Sequence, residues 1–110
     1  MPAIHPPRSL QAIKRAVGRT RVGDGREAVY GSAFLVSSTR LVTCRHNLID
    51  TFGDRVDTVD LLFPEWAPEE QARTARVDWT HPDGLDIAVL ILDSPAPQDV
   101  APLRCGRSQL

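Results

Sequence analysis

Short stretches in which apolar and polar residues alternate recur along the chain, and turn-forming residues separate them. Alternation with a period of two is typical of a β-strand that buries one face. In one such stretch, for example, Val59, Leu61 and Phe63 fall on the same face. The pattern predicts strands over residues 12–22, 28–37, 41–43, 56–63, 73–80 and 86–92.

The stretch over residues 86–92 predicts the most deeply buried strand, because it is apolar on both faces. Residues 9–16 fit either a helical turn or a strand edge, residues 47–51 fit one helical turn, and residues 100–103 are candidates for one further pairing. About six short, closely spaced strands without a long helix indicate an all-β barrel or sandwich.

Composition and charge exclude some classes of partner. The chain has 110 residues, is 42% hydrophobic and carries a formal net charge of -1. Nucleic-acid binding requires a basic surface, so we expect no nucleic-acid partner. No apolar run is long enough for a membrane span, so we expect no membrane partner. Cys44 and Cys105 show the spacing of neither a disulfide framework nor a zinc site, and two free thiols predict a cytoplasmic location.

Two residues carry the candidate chemistry. His46 follows a short apolar strand, which could hold the ring rigidly enough for a general base, although a lone histidine there is more often an exposed loop residue. Asp86 precedes the most apolar stretch and is either a common turn aspartate or a carboxylate that accepts a hydrogen bond from the Nδ1–H of His46. The order of histidine before aspartate matches the chymotrypsin-type catalytic triad.

A metal site is the competing interpretation of these residues. The candidate ligands lie at Cys44, His46, His81, Asp83 and Asp86, and they show no HxxxH, HExxH or CxxC spacing. We therefore expect no metal and no other cofactor.

Three blocks in the same order resemble trypsin-like peptidases, including those of the HtrA-like type. Gly31-Ser-Ala-Phe-Leu-Val-Ser resembles the strand before the catalytic histidine, and Leu41-Val-Thr-Cys-Arg-His46 resembles the Val-Leu-Thr-Ala-Ala-His block. His81-Pro-Asp-Gly-Leu-Asp86-Ile-Ala-Val-Leu resembles the Asp-Ile-Ala-Leu-Leu block. The resemblance covers residues 16–110. It implies an all-β, six-stranded Greek-key barrel over residues 11–110, which is one half of the double-barrel fold, after a flexible segment over residues 1–10.

The resemblance also implies a function, that of a serine endopeptidase in which His46 is the general base and Asp86 its orienter. In this family the serine, the oxyanion hole and the specificity pocket belong to a second barrel, and no serine of this chain lies in a Gly-Asp-Ser-Gly-Gly block. The chain alone is therefore expected to be inactive. Its implied partners are that second barrel, or a fused or associated signalling domain, and a protein or peptide substrate.

Departures from the family pattern favour an alternative, a non-catalytic trypsin-like β-barrel that acts as an interaction or regulatory module. Arg45 stands where a small residue normally precedes the histidine, and a cation beside the base disfavours imidazolium. We further expect Cys44 to be buried as a small apolar residue. Trp66 and Trp79 are expected to be half-buried strand aromatics rather than a stacking platform.

Overall fold

Six antiparallel strands close into a barrel in the computed structural model, which describes residues 10–103. A short helix α1 (Leu10–Ala16) precedes them, and three single-turn 3₁₀ helices lie in the connections at Gly25–Glu27, Arg45–Leu48 and Glu69–Gln71. The strands are β1 (Val17–Val22), β2 (Val29–Leu35), β3 (Arg40–Thr43), β4 (Thr58–Leu62), β5 (Arg73–Thr80) and β6 (Ala88–Leu92).

The strand order around the barrel is β1-β2-β3-β6-β5-β4, and β4 returns to pair with β1. The run β4-β1-β2-β3 is the Greek-key arrangement, in which a fourth strand lies beside the first of three hairpin-linked strands. Closure leaves no open sheet edge for pairing with other chains. The prediction of an all-β, six-stranded barrel with little helix is therefore confirmed.

Inward-facing side chains from alternate strand positions fill the barrel, as the period-two pattern predicted. The largest apolar side chains among them have no exposed surface, namely Leu35, Leu41, Leu61, Phe63 and Leu90. These residues come from β2, β3, β4 and β6 and from the position just after β4. The core thus lies along the barrel axis, and the connections at the two ends of the barrel carry the residues that are candidates for function.

The predicted strand over residues 12–22 is wrong in its first part, because residues 10–16 form helix α1. The segment Leu-Gln-Ala-Ile-Lys-Arg-Ala is rich in strong helix formers, and Lys14 and Arg15 lie in the last turn, where cations favour the helix dipole. The indole Nε1–H of Trp66 donates to the carbonyl of Arg15 at 3.1 Å, which satisfies one of the terminal carbonyl groups. Leu10 opens this helix, while the rest of the predicted flexible segment lies outside the described residues.

The predicted strand over residues 86–92 begins later than expected, at Ala88. The backbone N–H of Ile87 turns back to donate to the carbonyl of Leu85 at 2.8 Å, although the carbonyl of Ile87 still accepts a hydrogen bond from the backbone N–H of His81 at 3.1 Å. Ile87 is 41% exposed, and Asp86 lies in the loop before the strand. Residues 100–103 form no strand, although the N–H of Leu103 bonds to the carbonyl of Leu35. No helix within residues 10–103 is long and apolar enough to cross a membrane.

Candidate functional site

The register of two neighbouring strands brings His46 and Asp86 to the same rim of the barrel. β3 and β6 run antiparallel, and Thr43, the last residue of β3, pairs with Ala88, the first residue of β6. The 3₁₀ turn Arg45–Leu48 follows β3, and the loop over residues 81–87 precedes β6. Both connections therefore leave the barrel side by side, with His46 in the first and Asp86 in the second.

Asp86 holds His46 at two points. Its Oδ2 lies 2.5 Å from Nδ1 of His46, and its Oδ1 accepts a hydrogen bond from the backbone N–H of His46 at 2.8 Å. Because the two oxygens engage the ring and the backbone of one residue, the imidazole orientation is fixed relative to the turn that carries it. The side chains of His46 and Asp86 nevertheless stay 68% and 51% exposed, so the ring remains open to other molecules.

The protonation of this pair follows from its hydrogen bonds. The bond with the His46 side chain lowers the pKa of Asp86 below its usual value, and the bond from the His46 backbone N–H adds to this effect. An ionised carboxylate can only accept, so Nδ1 carries the proton, and in the neutral ring this leaves the free lone pair on Nε2. Within residues 10–103 no side chain or backbone group hydrogen-bonds to Nε2. The arrangement therefore presents a basic nitrogen at the barrel rim.

A buried polar cluster fixes the histidine turn to β2, and the sequence did not predict it. The side-chain Nδ2 of Asn47 donates to Thr43 Oγ1 at 3.1 Å and to the carbonyl of Ser32 at 3.3 Å. The hydroxyl of Thr43 also donates to the carbonyl of Ser32, at 2.7 Å. Asn47 is only 8% exposed. Asn47 stands in a largely polar local sequence, between His46 and Leu48, so nothing nearby marks it as buried, and its partner Ser32 on β2 is distant in sequence.

An open cavity of about 500 Å³ adjoins the pair. Its other walls come from the segment after the histidine turn and from β5, including Val56 and Val77, and from Arg45. The guanidinium of Arg45 extends toward the loop that carries Asp86, with Nη1 3.8 Å from the place where a Cβ on Gly84 would stand. Arg45 thus places a fixed positive charge in the wall of the cavity.

Cys44 is exposed, so the prediction that it is buried is wrong. Leu41 and Thr43 face the core from β3, and the alternation therefore turns Cys44 outward. The thiol joins His46 and Asp86 in a cluster whose potential ligand atoms all lie within 4.8 Å of one another.

The two other candidate ligands, His81 and Asp83, do not belong to that cluster. The Nδ1 of His81 instead accepts a hydrogen bond from the backbone N–H of Asp83 at 3.1 Å. Trp79 is 43% exposed and meets the His81 ring edge-on, while Trp66 lies in a loop and stacks on Phe63. The tryptophans therefore do not form one platform.

Comparison with known proteins assigns no family. No protein-family model matches the chain, and a search of curated proteins finds no match. What can be said of function comes from the geometry of this rim and from the three sequence blocks that led to it.

Proposed function

We propose that this barrel supplies the general base and its orienter to a trypsin-like serine endopeptidase. The observation that carries the proposal is the bond between Nδ1 of His46 and Oδ2 of Asp86, at 2.5 Å. It supports a role in proton transfer because it leaves Nε2, the nitrogen that must meet the nucleophile, without a partner among the described residues, on a side chain that is 68% exposed.

The proposed reaction is acyl transfer to a serine. Nε2 of His46 takes the hydroxyl proton as the serine oxygen attacks the peptide carbonyl, and the same proton then passes to the leaving amine. Asp86 stays ionised throughout and stabilises the imidazolium that forms between the two steps. Its lowered pKa suits this role, because a carboxyl group that remained protonated could not accept the Nδ1–H.

The serine and the oxyanion donors are proposed to come from a second barrel outside this chain, so the chain alone would not hydrolyse peptides. Exposed apolar side chains flank the site, with Phe52 73% exposed in one loop, and Leu85 55% and Ile87 41% exposed in the other. Such side chains suit contact with a second barrel or with a peptide substrate. The exposed free thiol of Cys44 supports a reducing, cytoplasmic setting for the whole protein.

Arg45 favours a second candidate function, that of a non-catalytic barrel serving as an interaction module. Arg45 lines the same cavity as His46 and Asp86, with its guanidinium near Gly84, so a long cation stands where a small residue is expected. A barrel that had lost catalysis would tolerate such a residue, since fold and activity are separable.

A fluorophosphonate probe separates the two functions. The chain is expressed together with the sequence that follows it in its gene and is treated with the probe. The peptidase proposal predicts that one serine outside residues 1–110 is labelled, and that His46→Ala abolishes the labelling. His81→Ala, which changes a histidine outside the pair, serves as the matched control and should be labelled normally. A folded protein that takes up no probe would contradict the peptidase proposal and leave the interaction module.

A further inference from the structure

Three side chains of different donor chemistry meet at the rim. The thiol of Cys44, the imidazole of His46 and the carboxylate of Asp86 place their potential ligand atoms within 4.8 Å of one another. We propose that these three residues form a binding site for a thiophilic divalent cation of the Zn²⁺ type, with water as the fourth ligand.

The donor set selects the kind of metal. A thiolate and an imidazole are ligands of Zn²⁺ and of softer ions, whereas Mg²⁺ and Ca²⁺ require oxygen donors. The thiolate of Cys44 and the carboxylate of Asp86 together balance the charge of a divalent ion. Three protein ligands with one open position are the usual arrangement of an accessible zinc site.

Small movements would complete the coordination. Tetrahedral zinc with bonds of about 2.0–2.3 Å holds its ligand atoms about 3.4–3.6 Å apart. The contact between Nδ1 of His46 and Oδ2 of Asp86 must therefore open by about 1 Å from 2.5 Å, and the thiol of Cys44 must move inward. The side chains of His46 and Asp86 and the cysteine are all exposed, so these movements do not disturb the packed core.

The backbone helps to hold one ligand ready. Oδ1 of Asp86 accepts the backbone N–H of His46 at 2.8 Å, so the carboxylate stays anchored while Oδ2 turns to the metal. Such outer hydrogen bonds orient metal ligands and are a regular part of metal sites. The ion takes the place of the Nδ1 proton, which moves to Nε2 as the ring changes tautomer, while the thiol proton is released to solvent.

Metal binding at this site would block the proposed base, because Nε2 then carries a proton and has no lone pair to offer. The cation would act as a reversible inhibitor of any peptidase built on this barrel. The binding itself does not depend on the proposed function, since it is measured on this chain without a second barrel or a substrate.

The test is a titration of the reduced, metal-free chain with Zn²⁺ by calorimetry, and with Co²⁺ by absorption. We expect one ion per chain and a thiolate-to-cobalt charge-transfer band. Loss of an outer-shell hydrogen-bond partner usually weakens metal binding by about 10- to 100-fold. Cys44→Ser, His46→Ala and Asp86→Asn each remove a direct ligand, so each should weaken Zn²⁺ binding by more than that. Cys44→Ser should also abolish the band.

Matched controls are Cys105→Ser for the thiol and His81→Ala for the imidazole, and both should bind Zn²⁺ as the unaltered chain does. Circular dichroism checks the fold of each variant, and Cys44→Ala provides a second replacement at that exposed position. Zn²⁺ binding that survives unchanged in Cys44→Ser and Cys44→Ala, or the absence of saturable binding, would overturn the metal site. Neither result alters the fluorophosphonate outcome, so the two proposals can fail separately.

Discussion

The side-chain amide of Asn47 occupies the space that a side chain at Gly31 would need. A Cβ built on Gly31 would lie 2.2–2.5 Å from the amide atoms, which is too close for any real contact. Because Asn47 is buried and bonded to β2, the amide cannot simply swing away. The glycine on β2 and the asparagine in the histidine turn are therefore a matched pair that sets how closely the turn packs on the barrel.

Gly31→Ala should destabilise the chain by about 1–3 kcal/mol, the usual cost of overpacking a rigid interior. The control is the same substitution in an Asn47→Ala background, where the clashing amide is gone and the added cost of the methyl group should fall. Urea denaturation of the two single variants and the double variant gives this coupling directly. Equal costs of Gly31→Ala in both backgrounds would contradict the matched pair.

Two buried threonines provide a second comparison. Thr43 is 3% exposed and its hydroxyl joins Asn47 to Ser32, whereas Thr20 is 0% exposed and its hydroxyl has no hydrogen-bond partner among the described residues. Thr43→Val should lower the free energy of unfolding by about 1 kcal/mol. Thr20→Val should leave it unchanged or raise it by up to about 1 kcal/mol, because it removes a buried, unpaired hydroxyl. The opposite order of stabilities would show that the cluster around Asn47 does not hold the turn.

The pair at the rim also predicts a pH dependence. The hydrogen bond with His46 lowers the pKa of Asp86, so the carboxylate stabilises the fold at pH values above the ordinary aspartate pKa. This contribution is lost as the pH falls through the lowered pKa of the folded state. Carbon-detected NMR of the Asp86 carboxyl group, in a buffer with a chelator, should show a midpoint below that of a free aspartate. His46→Ala should raise the midpoint and His81→Ala should not. An Asp86 midpoint that is unchanged in His46→Ala would contradict the claim that the hydrogen bond with His46 lowers the pKa of Asp86.

Much of the barrel was predictable from the sequence because most strand positions alternate between inward and outward, although β4 buries the consecutive residues Leu61 and Leu62 and β5 contains a register shift between Val77 and Trp79. The alternation that placed Val59, Leu61 and Phe63 in the core is intrinsic to a strand with one buried face. It failed over residues 10–16, because the side chains there are strong helix formers and the segment forms helix α1 before β1 begins. The expectation that Cys44 is buried was also wrong, because it rested on the apolar character of the preceding strand, whereas alternation from the buried Thr43 turns Cys44 outward.

The site was only partly predictable. The resemblance to trypsin-like peptidases indicates His46 and Asp86, whereas their contact depends on the pairing of Thr43 with Ala88, a long-range register that the local sequence does not reveal. The packing of Asn47 against Gly31 also joins residues that are distant in sequence, so local sequence patterns do not predict it.

The most direct measurement of the central claim is peptide hydrolysis by the barrel joined to the serine-bearing half that we propose for it. Asp86→Asn keeps the shape of the side chain but removes the carboxylate that orients Nδ1, and it should lower kcat by about 10⁴-fold. Asp83→Asn, in the same loop but outside the pair, is the control and should retain full activity. An Asp86→Asn enzyme that kept kcat within about tenfold of the unaltered protein would contradict the proposed role of the His46–Asp86 pair.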